Sequence, residues 1–478
     1  MSEPRAAAGT GEDHHRPRFH LTAPVGWIND PVGALRRDGR YHLFYQHNPH
    51  GTQWARPHWG HVDSRDLVHW RHLPEALAPS VDGADADGCF SGSGVVTEEG
   101  AALLYTGVRG PVGPGQWQAT CLATSRDPGL REWRKAVENP VTPPPPGLAL
   151  TGFRDPFVWR AGDGWHQLVG SGLVGRGGAL LHFRSPDLRR WEDLGPALVG
   201  EDEHVVGEWA GMMWECPSLL QGSDAAIALV SVHDGDTTTH HAIGIVGAFD
   251  GTTLRPERAR RLDLGPDWYA PCVLDDDGRW LVWGWSQEAR GPAGPARAGW
   301  SGTLTPARVL TVADGWPRLD PLPELGRLRQ RRLCLDGATV DGSLRHENAG
   351  ASLDVELTLV GEQEAAVLRV LASPDGEEAT TVTIDRAAGR LELDRRRSSR
   401  AEDVSADVVT APLVVPAGPL AVRVLVDRSI IEVFAGPQPL TARVYPVRPD
   451  SCGLELAAPT ATMASLVVHT MGAGTTPP

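Results

Sequence analysis

The strings SRDLVHW (Ser64 to Trp70), SRDPGLREW (Ser125 to Trp133) and SPDLRRW (Ser185 to Trp191) recur at intervals of about 60 residues, each opening Ser-x-Asp and closing on Trp. GAFDGTTL (Gly247 to Leu254) is a weaker echo where a fourth copy belongs, and WSGTLTPARVL (Trp300 to Leu310) lies near the place of a fifth. A period of this length constrains the fold more than any local propensity, because each repeat is one unit that must bury its apolar face against the next. Before the copies lie short apolar runs, YHLFYQ, ALLYTGV, WHQLVGSG and RWLVWGW, separated by Gly- and Asp-rich turns. Several short strands per unit, repeated about five times, predict a five-bladed β-propeller over residues 17–315, with the Ser and Asp of each copy capping a turn and the Trp packed between blades.

After about residue 310 the repeat stops. PLPELGRLRQRRL places Leu at helix-like spacing beside a run of arginines, so residues 316–335 are expected to form a linker segment. From 336 to 472 the text is strands alone, including LDVELTLV, AVLRVLAS and LAVRVLVDRSIIEVFAG, with Val422, Val424 and Val426 on one face. That pattern predicts a β-sandwich, whose expected part is stability or oligomer contacts, with the motif from Asp427 to Phe434 serving as packing. The fold class is therefore all-β, with residues 1–16 a disordered arm and 473–478 a frayed tail.

A length of 478 residues fits two domains, and 41% hydrophobic residues fit a soluble globular chain. The formal charge of −15 opposes binding to nucleic acid, whose phosphates such a surface repels. No stretch reaches the ~18 uncharged apolar residues of a membrane span. The start, MSEPRAAAGTGEDHHRPRFH, lacks the apolar core of a secretory signal, so a cytoplasmic protein is expected. Six scattered cysteines without a C-x-x-C pair predict free thiols, and the 18 histidines show no metal-ligand spacing. No nucleotide-binding loop is present either, so neither metal nor cofactor is expected.

A propeller leaves a funnel where its inner strands meet. Acids near the start of a blade and embedded among apolar residues are the candidates to face it, since a charge there is costly unless used or paired. Three qualify: Asp30 in WINDPVG, Asp155 in FRDPFVW and Glu215 in MMWECPSLL. Asp127, in a second RDP with polar surroundings, is expected to be a turn residue. Two converging carboxylates suit glycoside cleavage, one as nucleophile and one as general acid. Glu215, between Trp214 and Cys216 with Met213 beyond, is expected to have the raised pKa. Seventeen tryptophans against 8 Phe and 5 Tyr favour a sugar ligand, with Trp27, Trp54, Trp59, Trp214 and Trp268 near the acids or in polar loops.

These motifs, in this order, make the chain resemble glycoside hydrolase family 32, the invertases, fructanases and related β-fructofuranosidases, from about His20 to Met471. WINDPVG is similar to the family's W-x-N-D-P-N-G, FRDP to its R-D-P and WECP to its E-C motif. FYQHNP, HWGHVDSRDLVHW, CFSGSGV, DWYAP, LELDR and VRVLVDRSIIEVF match further segments. The resemblance implies Asp30 as nucleophile, Glu215 as acid then base, and Asp155 as stabiliser of an oxocarbenium-like transition state with Arg154 beside it. It also implies a fructose-binding shell of Asn29, Gln46, Trp54, Ser91 and Asp267, and an aromatic wall of Trp27, Trp59 and Phe90. Val32 departs from the family's asparagine, which implies lost hydrogen bonds near Asp30 or the leaving group. The expected activity is hydrolysis of sucrose or short fructo-oligosaccharides. The rivals are a fructosyltransferase using the same intermediate, an arabinan-cleaving enzyme with a similar propeller, and a non-catalytic carbohydrate-binding protein.

Overall fold

A computed structural model describes residues 13–476 except 114, 163, 223–224, 235–237, 336–341, 362–364 and 459–462. The chain is all-β, a propeller followed by a sandwich. Up to Pro321 it forms antiparallel sheets whose four principal strands run in chain order, with inner strands Gly26–Arg37, Gly88–Thr97, Leu150–Ala161, Met213–Gln221 and Trp268–Asp276. Each inner strand packs on the next, and the last returns to the first, closing a ring about one axis. The closure is covalent-free but well tied. Trp300–Ser301 pairs in parallel with Gly26 and Trp27, and Leu21 bridges Leu304.

The sequence repeat is the turn between the third and fourth strands of a sheet. Ser64 Oγ accepts the amides of Asp66 and Leu67, Asp66 Oδ1 accepts those of Val68 and His69, and Trp70 Nε1 donates to Leu67 O. The copies ending at Trp133 and Trp191 repeat the Asp caps and the Trp-to-Leu bond, and Asp250 caps the fourth through Thr252 and Thr253. Asp127 is thus a turn residue. In each of the three full copies the Leu, at 67, 130 or 188, adopts a positive φ, so the side-chain caps hold a backbone that a bulky residue otherwise avoids. The fifth echo differs. Its Trp300 lies beside the first sheet, and the last turn of the fifth sheet is made instead by Asp314 and Gly315.

Four expected boundaries move. Trp316–Pro321 pairs along its whole length with Arg308–Ala313, so it is the propeller's outermost strand and not linker. Arg329–Leu335 pairs with Met463–Met471 in the sandwich, which confines the connector to a 3₁₀ turn at Pro323–Leu328. At the ends, Thr475–Thr476 adds in parallel to Trp70–Leu77, and Asp13 accepts a bond from Trp300 Nε1, so residues 13–16 and 475–476 are docked. The start of the sandwich expected at 336, and residues 1–12 of the arm, lie outside the described residues.

Two six-stranded sheets form the sandwich. Val422, Val424 and Val426 enter its core, while Leu425, Phe434 and Met471 point out of it into the propeller's cluster with Phe19, Trp70 and Leu328. Buried charge crosses the same seam. Asp427 accepts the amides of Arg18, Phe19 and His20, and the His20 ring lies 3.0 Å from both Asp427 and Glu432. Arg308 donates to Asp263 at 2.7 Å and to Glu432, and Thr441 closes the cluster on Asp263. The motif from Asp427 to Phe434 is therefore a polar clasp as well as packing. Gly265 permits the approach, since a Cβ there would stand 1.9 Å from Thr441 O. No helix among the described residues is long and apolar enough to cross a membrane.

Candidate active site

Every inner strand carries an irregularity in its pairing at the same depth: between Ile28 and Pro31, Phe90 and Gly92, opposite Leu168 and Gly170 in the third sheet, between Glu215 and Ser218, and between Tyr269 and Cys272. A bulge breaks the alternation of a strand and re-aims one side chain. The triplets at these points are Asn29-Asp30-Pro31, Phe90-Ser91-Gly92, Arg154-Asp155-Pro156, Glu215-Cys216-Pro217 and Tyr269-Ala270-Pro271. Their middle residues Asp155, Cys216 and Ala270 have φ of 62°, 47° and 53°, a conformation that L-residues adopt only when their surroundings fix it. Proline suits the third place because a bulged strand there needs no amide donor.

The bulges open into a cavity of about 690 Å³ lined by Asp30, Asp155, Glu215, Arg154, Trp27, Asn29, Gln46, Trp54, Phe90 and Tyr269 among others. Asp30 and Asp155 hold the middle place of their triplets and Glu215 the first, one residue nearer the mouth. A chain of hydrogen bonds fixes Asp30 from one side: Trp27 Nε1 to Asn29 Oδ1 at 2.8 Å, Asn29 Nδ2 to Gln46 Oε1 at 3.2 Å, Gln46 Nε2 to Ser91 Oγ, and Ser91 Oγ to Asp30 Oδ2 at 2.5 Å. Cys216 joins the acids. Its amide donates to Asp155 Oδ2 at 3.0 Å, and its Sγ lies 3.6 Å from Asp30 Oδ2 and 3.8 Å from Asp155 Oδ2. The Asp155 amide donates to Thr106 Oγ1 at 2.7 Å.

Glu215 is held by a different set. Arg154 donates through Nε at 3.0 Å and Nη2 at 2.6 Å to Oε1, and the Tyr269 hydroxyl donates to Oε2 at 2.7 Å. The Trp214 indole lies over Gly178, where a Cβ would fall 2.3 Å from the ring, and its Nε1 donates to Ala210 O. That seat fixes the strand carrying Glu215.

The protonation pattern differs from the expectation. Burial by itself pushes Glu215 up, yet the charge of Arg154, with His233 and the Tyr269 hydroxyl, holds its carboxyl below the ordinary glutamate value. Asp155 takes the raised value instead, about 7, because it is buried and faces the charge of Glu215, with Arg154 only partly offsetting this. Burial also raises Asp30; Ser91 opposes and Glu215 adds to the rise. The sequence context of Glu215 is apolar, but Arg154 and Tyr269 come from other sheets and cannot be read from its neighbours.

Of the expected shell, Asn29, Gln46, Trp54, Phe90, Arg154 and Trp27 line the cavity. Ser91 supports Asp30 from below. Asp267 is a correction: its carboxylate turns to the sandwich, accepting from Arg395 Nη1 at 2.7 Å and the Arg443 amide at 2.8 Å. Trp59 is another, wholly buried with Nε1 on Phe90 O, and Trp214 and Trp268 are likewise fully buried. Val32 packs with Phe44 and Trp59 beneath the first sheet, so its side chain lies away from the sugar-sized cavity. Tyr269 and His233 were missed. The triplet pattern was the available signal, since DWYAP aligns Tyr269 with Asn29 and Glu215 and puts Asp267 two places too early. Asp13, His14 and His15 bring ligand-type atoms within 4.8 Å of one another, but both rings donate to Pro446 O and Asp13 pairs with Trp300, so this group ties the N-terminal segment down.

The sequence profile of the Glycosyl hydrolases family 32 N-terminal domain matches residues 20–320, and that of the family 32 C-terminal region matches residues 324–470. The chain belongs to glycosyl hydrolases family 32. Within the family, the sucrose-6-phosphate hydrolase of Escherichia coli is 34% identical, covering 92% of this chain and 91% of its own. The raffinose invertase of Escherichia coli is 32% identical over 92% of this chain and 91% of its own. Among solved structures, the family 32 β-fructofuranosidase of Bombyx mori is 29% identical and superposes with a TM-score of 0.81, covering 97% of this chain and 95% of that one. A mutant of that enzyme has been solved in complex with sucrose. This family 32 chain is a glycoside hydrolase, and its cavity gathers the three acids on which the family resemblance rests.

Proposed function

We propose that the chain is a retaining β-fructofuranosidase that releases terminal fructose from sucrose or short fructo-oligosaccharides, on a propeller of five blades spanning residues 17–321 and a sandwich that braces it. The observation that carries this reading is the delivery of Asp30 and Glu215, from bulges of two different inner strands, into one cavity that Asp155 also lines. The names of the relatives, hydrolases and invertases of sucrose-type sugars, point the same way.

In the first step an Asp30 oxygen attacks C2 of the fructosyl unit as the C2–O bond breaks, and Glu215 gives its proton to the leaving oxygen. In the second, Glu215 takes a proton from water, whose oxygen attacks C2 and releases Asp30, so the configuration is retained. The one-residue offset of Glu215 toward the mouth suits this division: the nucleophile acts at the sugar in the depth of the cavity and the acid acts at the bond leading outward. Retention requires about 5 to 5.5 Å between the two carboxyl groups.

Three acids beside one guanidinium titrate together, so a proton held near neutral pH belongs to the cluster. Burial and the charge of Glu215 raise Asp155 while Arg154 holds Glu215 low, so without a sugar the shared proton favours Asp155 over Glu215. Positive charge building at C2 favours ionised Asp30 and Asp155, so as the bond breaks the proton is best placed on Glu215, where the leaving oxygen needs it. Proton transfer of this kind contributes about 10²- to 10⁴-fold. Incubation with sucrose, read by NMR before mutarotation, tests the reading: β-fructofuranose as the first-formed anomer is expected. The α anomer would overturn retention, and trisaccharide in place of free fructose would make the chain a transferase.

A further inference from the structure

The same cavity bears on which fructosides it takes, and the inference rests on the fructosidase reading. Among the described lining residues the ionisable side chains other than tyrosine are Asp30, Asp155, Glu215, Arg154 and His233. Arg154 spends both Nε and Nη2 on Glu215 Oε1. His233 has the Asp234 carboxylate 3.9 Å from its Nδ1. The other described lining residues are uncharged. Val112, Gln116, Leu150, Thr151 and Val174 are among them, and Val112 and Val174 stand 59% and 62% exposed. Neutral hydroxyls and C–H faces match such a wall, since amides and hydroxyls bond them and aliphatic side chains cover them.

We infer that the site selects unphosphorylated β-fructosides and rejects a sugar that carries a phosphate monoester, although several of its relatives are named for a sugar phosphate. A phosphate brings a charge of about −1.5 to −2 and three acceptor oxygens. Here those would enter a cavity whose carboxylates outnumber its arginine and whose outer wall offers amide and hydroxyl donors in place of a second cation. The net charge of −15 adds repulsion at longer range. Salt screens the longer-range part of this repulsion, and the part felt within a few ångströms of the buried cluster much less.

The test is kcat/KM for sucrose and sucrose 6-phosphate side by side at low and high ionic strength, with the wild-type chain and Val174→Arg. Sucrose is expected to be favoured by about ten- to a hundredfold, with the gap narrowing as salt screens the repulsion. The substitution puts a guanidinium on the rim and is expected to move the ratio toward the phosphate ester. Equal or faster turnover of sucrose 6-phosphate, or a preference that neither salt nor the arginine moves, overturns the inference while leaving the fructosidase reading in place. Turnover of neither sugar overturns both.

Discussion

Replacing Tyr269 by Phe removes one hydroxyl from a wholly buried ring and leaves the ring itself in the cluster with Ala270 and Trp285. The hydroxyl has one hydrogen and two acceptors, Glu215 Oε2 at 2.7 Å and Val232 O at 3.1 Å. The shorter, charged one takes the larger share. A hydrogen bond to a charged group is worth about 1.5–3 kcal/mol, and a pKa unit corresponds to about 1.4 kcal/mol, so full loss would raise Glu215 by roughly one to two units. Sharing with Val232 and the persistence of both Arg154 bonds favour the lower figure. The hydroxyl stabilises the carboxylate, so its removal favours the protonated acid, which is what the first step needs. The alkaline limb of kcat/KM on sucrose should therefore move up by about one pH unit in Tyr269→Phe, with the acidic plateau lowered by no more than about tenfold. The limb belongs to the coupled acids, so the reading is the shift between variant and wild type at equal ionic strength. An unmoved limb, or one displaced to lower pH with the melting temperature unchanged, would refute the assignment of Glu215 as the group that must be protonated.

Asp30→Asn should fold normally and lose on the order of 10⁴-fold or more in turnover, while Glu215→Gln loses about 10²- to 10⁴-fold, both measured by fructose release after circular dichroism has confirmed the fold. Asp267→Asn should cost about 1–3 kcal/mol of stability by weakening the bonds to Arg395 and Arg443, with KM for sucrose unchanged; a raised KM at unchanged melting temperature would return Asp267 to the binding shell. His20→Ala removes the cation shared by two buried carboxylates, leaving Glu432 to Arg308 and Asp427 to its amide donors, and should cost about 3 kcal/mol in denaturant titrations. His20 is raised above its ordinary 6.5, its burial outweighed by Asp427 and Glu432, so its contribution is full below pH 6.5 and fades as pH rises through the folded value. Asp427 and Glu432 are held low, so theirs fades as pH falls through their folded values. The gap between wild type and variant should accordingly be widest between these limits and narrow in alkali.

Much of this molecule was legible as text because the propeller repeats it. Ser-x-Asp turns capping a left-handed Leu recur in three sheets, and acids set among Phe, Trp and Met marked the strands that face the axis. What escaped was contact across the repeat. Glu215 is surrounded in sequence by apolar residues, which predicts a raised pKa, but the side chains that charge its surroundings arrive from triplets 61 residues earlier and 54 residues later. Asp267 has the composition of a site residue and the position of a clasp, because its strand bulges only at Ala270. Val32 followed Asp-Pro closely enough to suggest a ligand position, yet the bulge at Pro31 turns it into the core. The seam between the domains, with His20, Asp263, Arg308, Asp427 and Glu432, pairs residues up to 412 positions apart and carries no periodic signal.

In the proposed mechanism Asp30 and Glu215 act on opposite ends of one glycosidic bond. Glu215→Gln mixed with β-fructosyl fluoride, whose leaving group needs no acid, isolates the first step, and quenching followed by peptide mass spectrometry locates the product. One fructosyl unit on the peptide bearing Asp30, lost again when that residue is also changed to Asn, is the predicted result. Unmodified protein while fluoride is released, or the sugar attached at any other side chain, would contradict it.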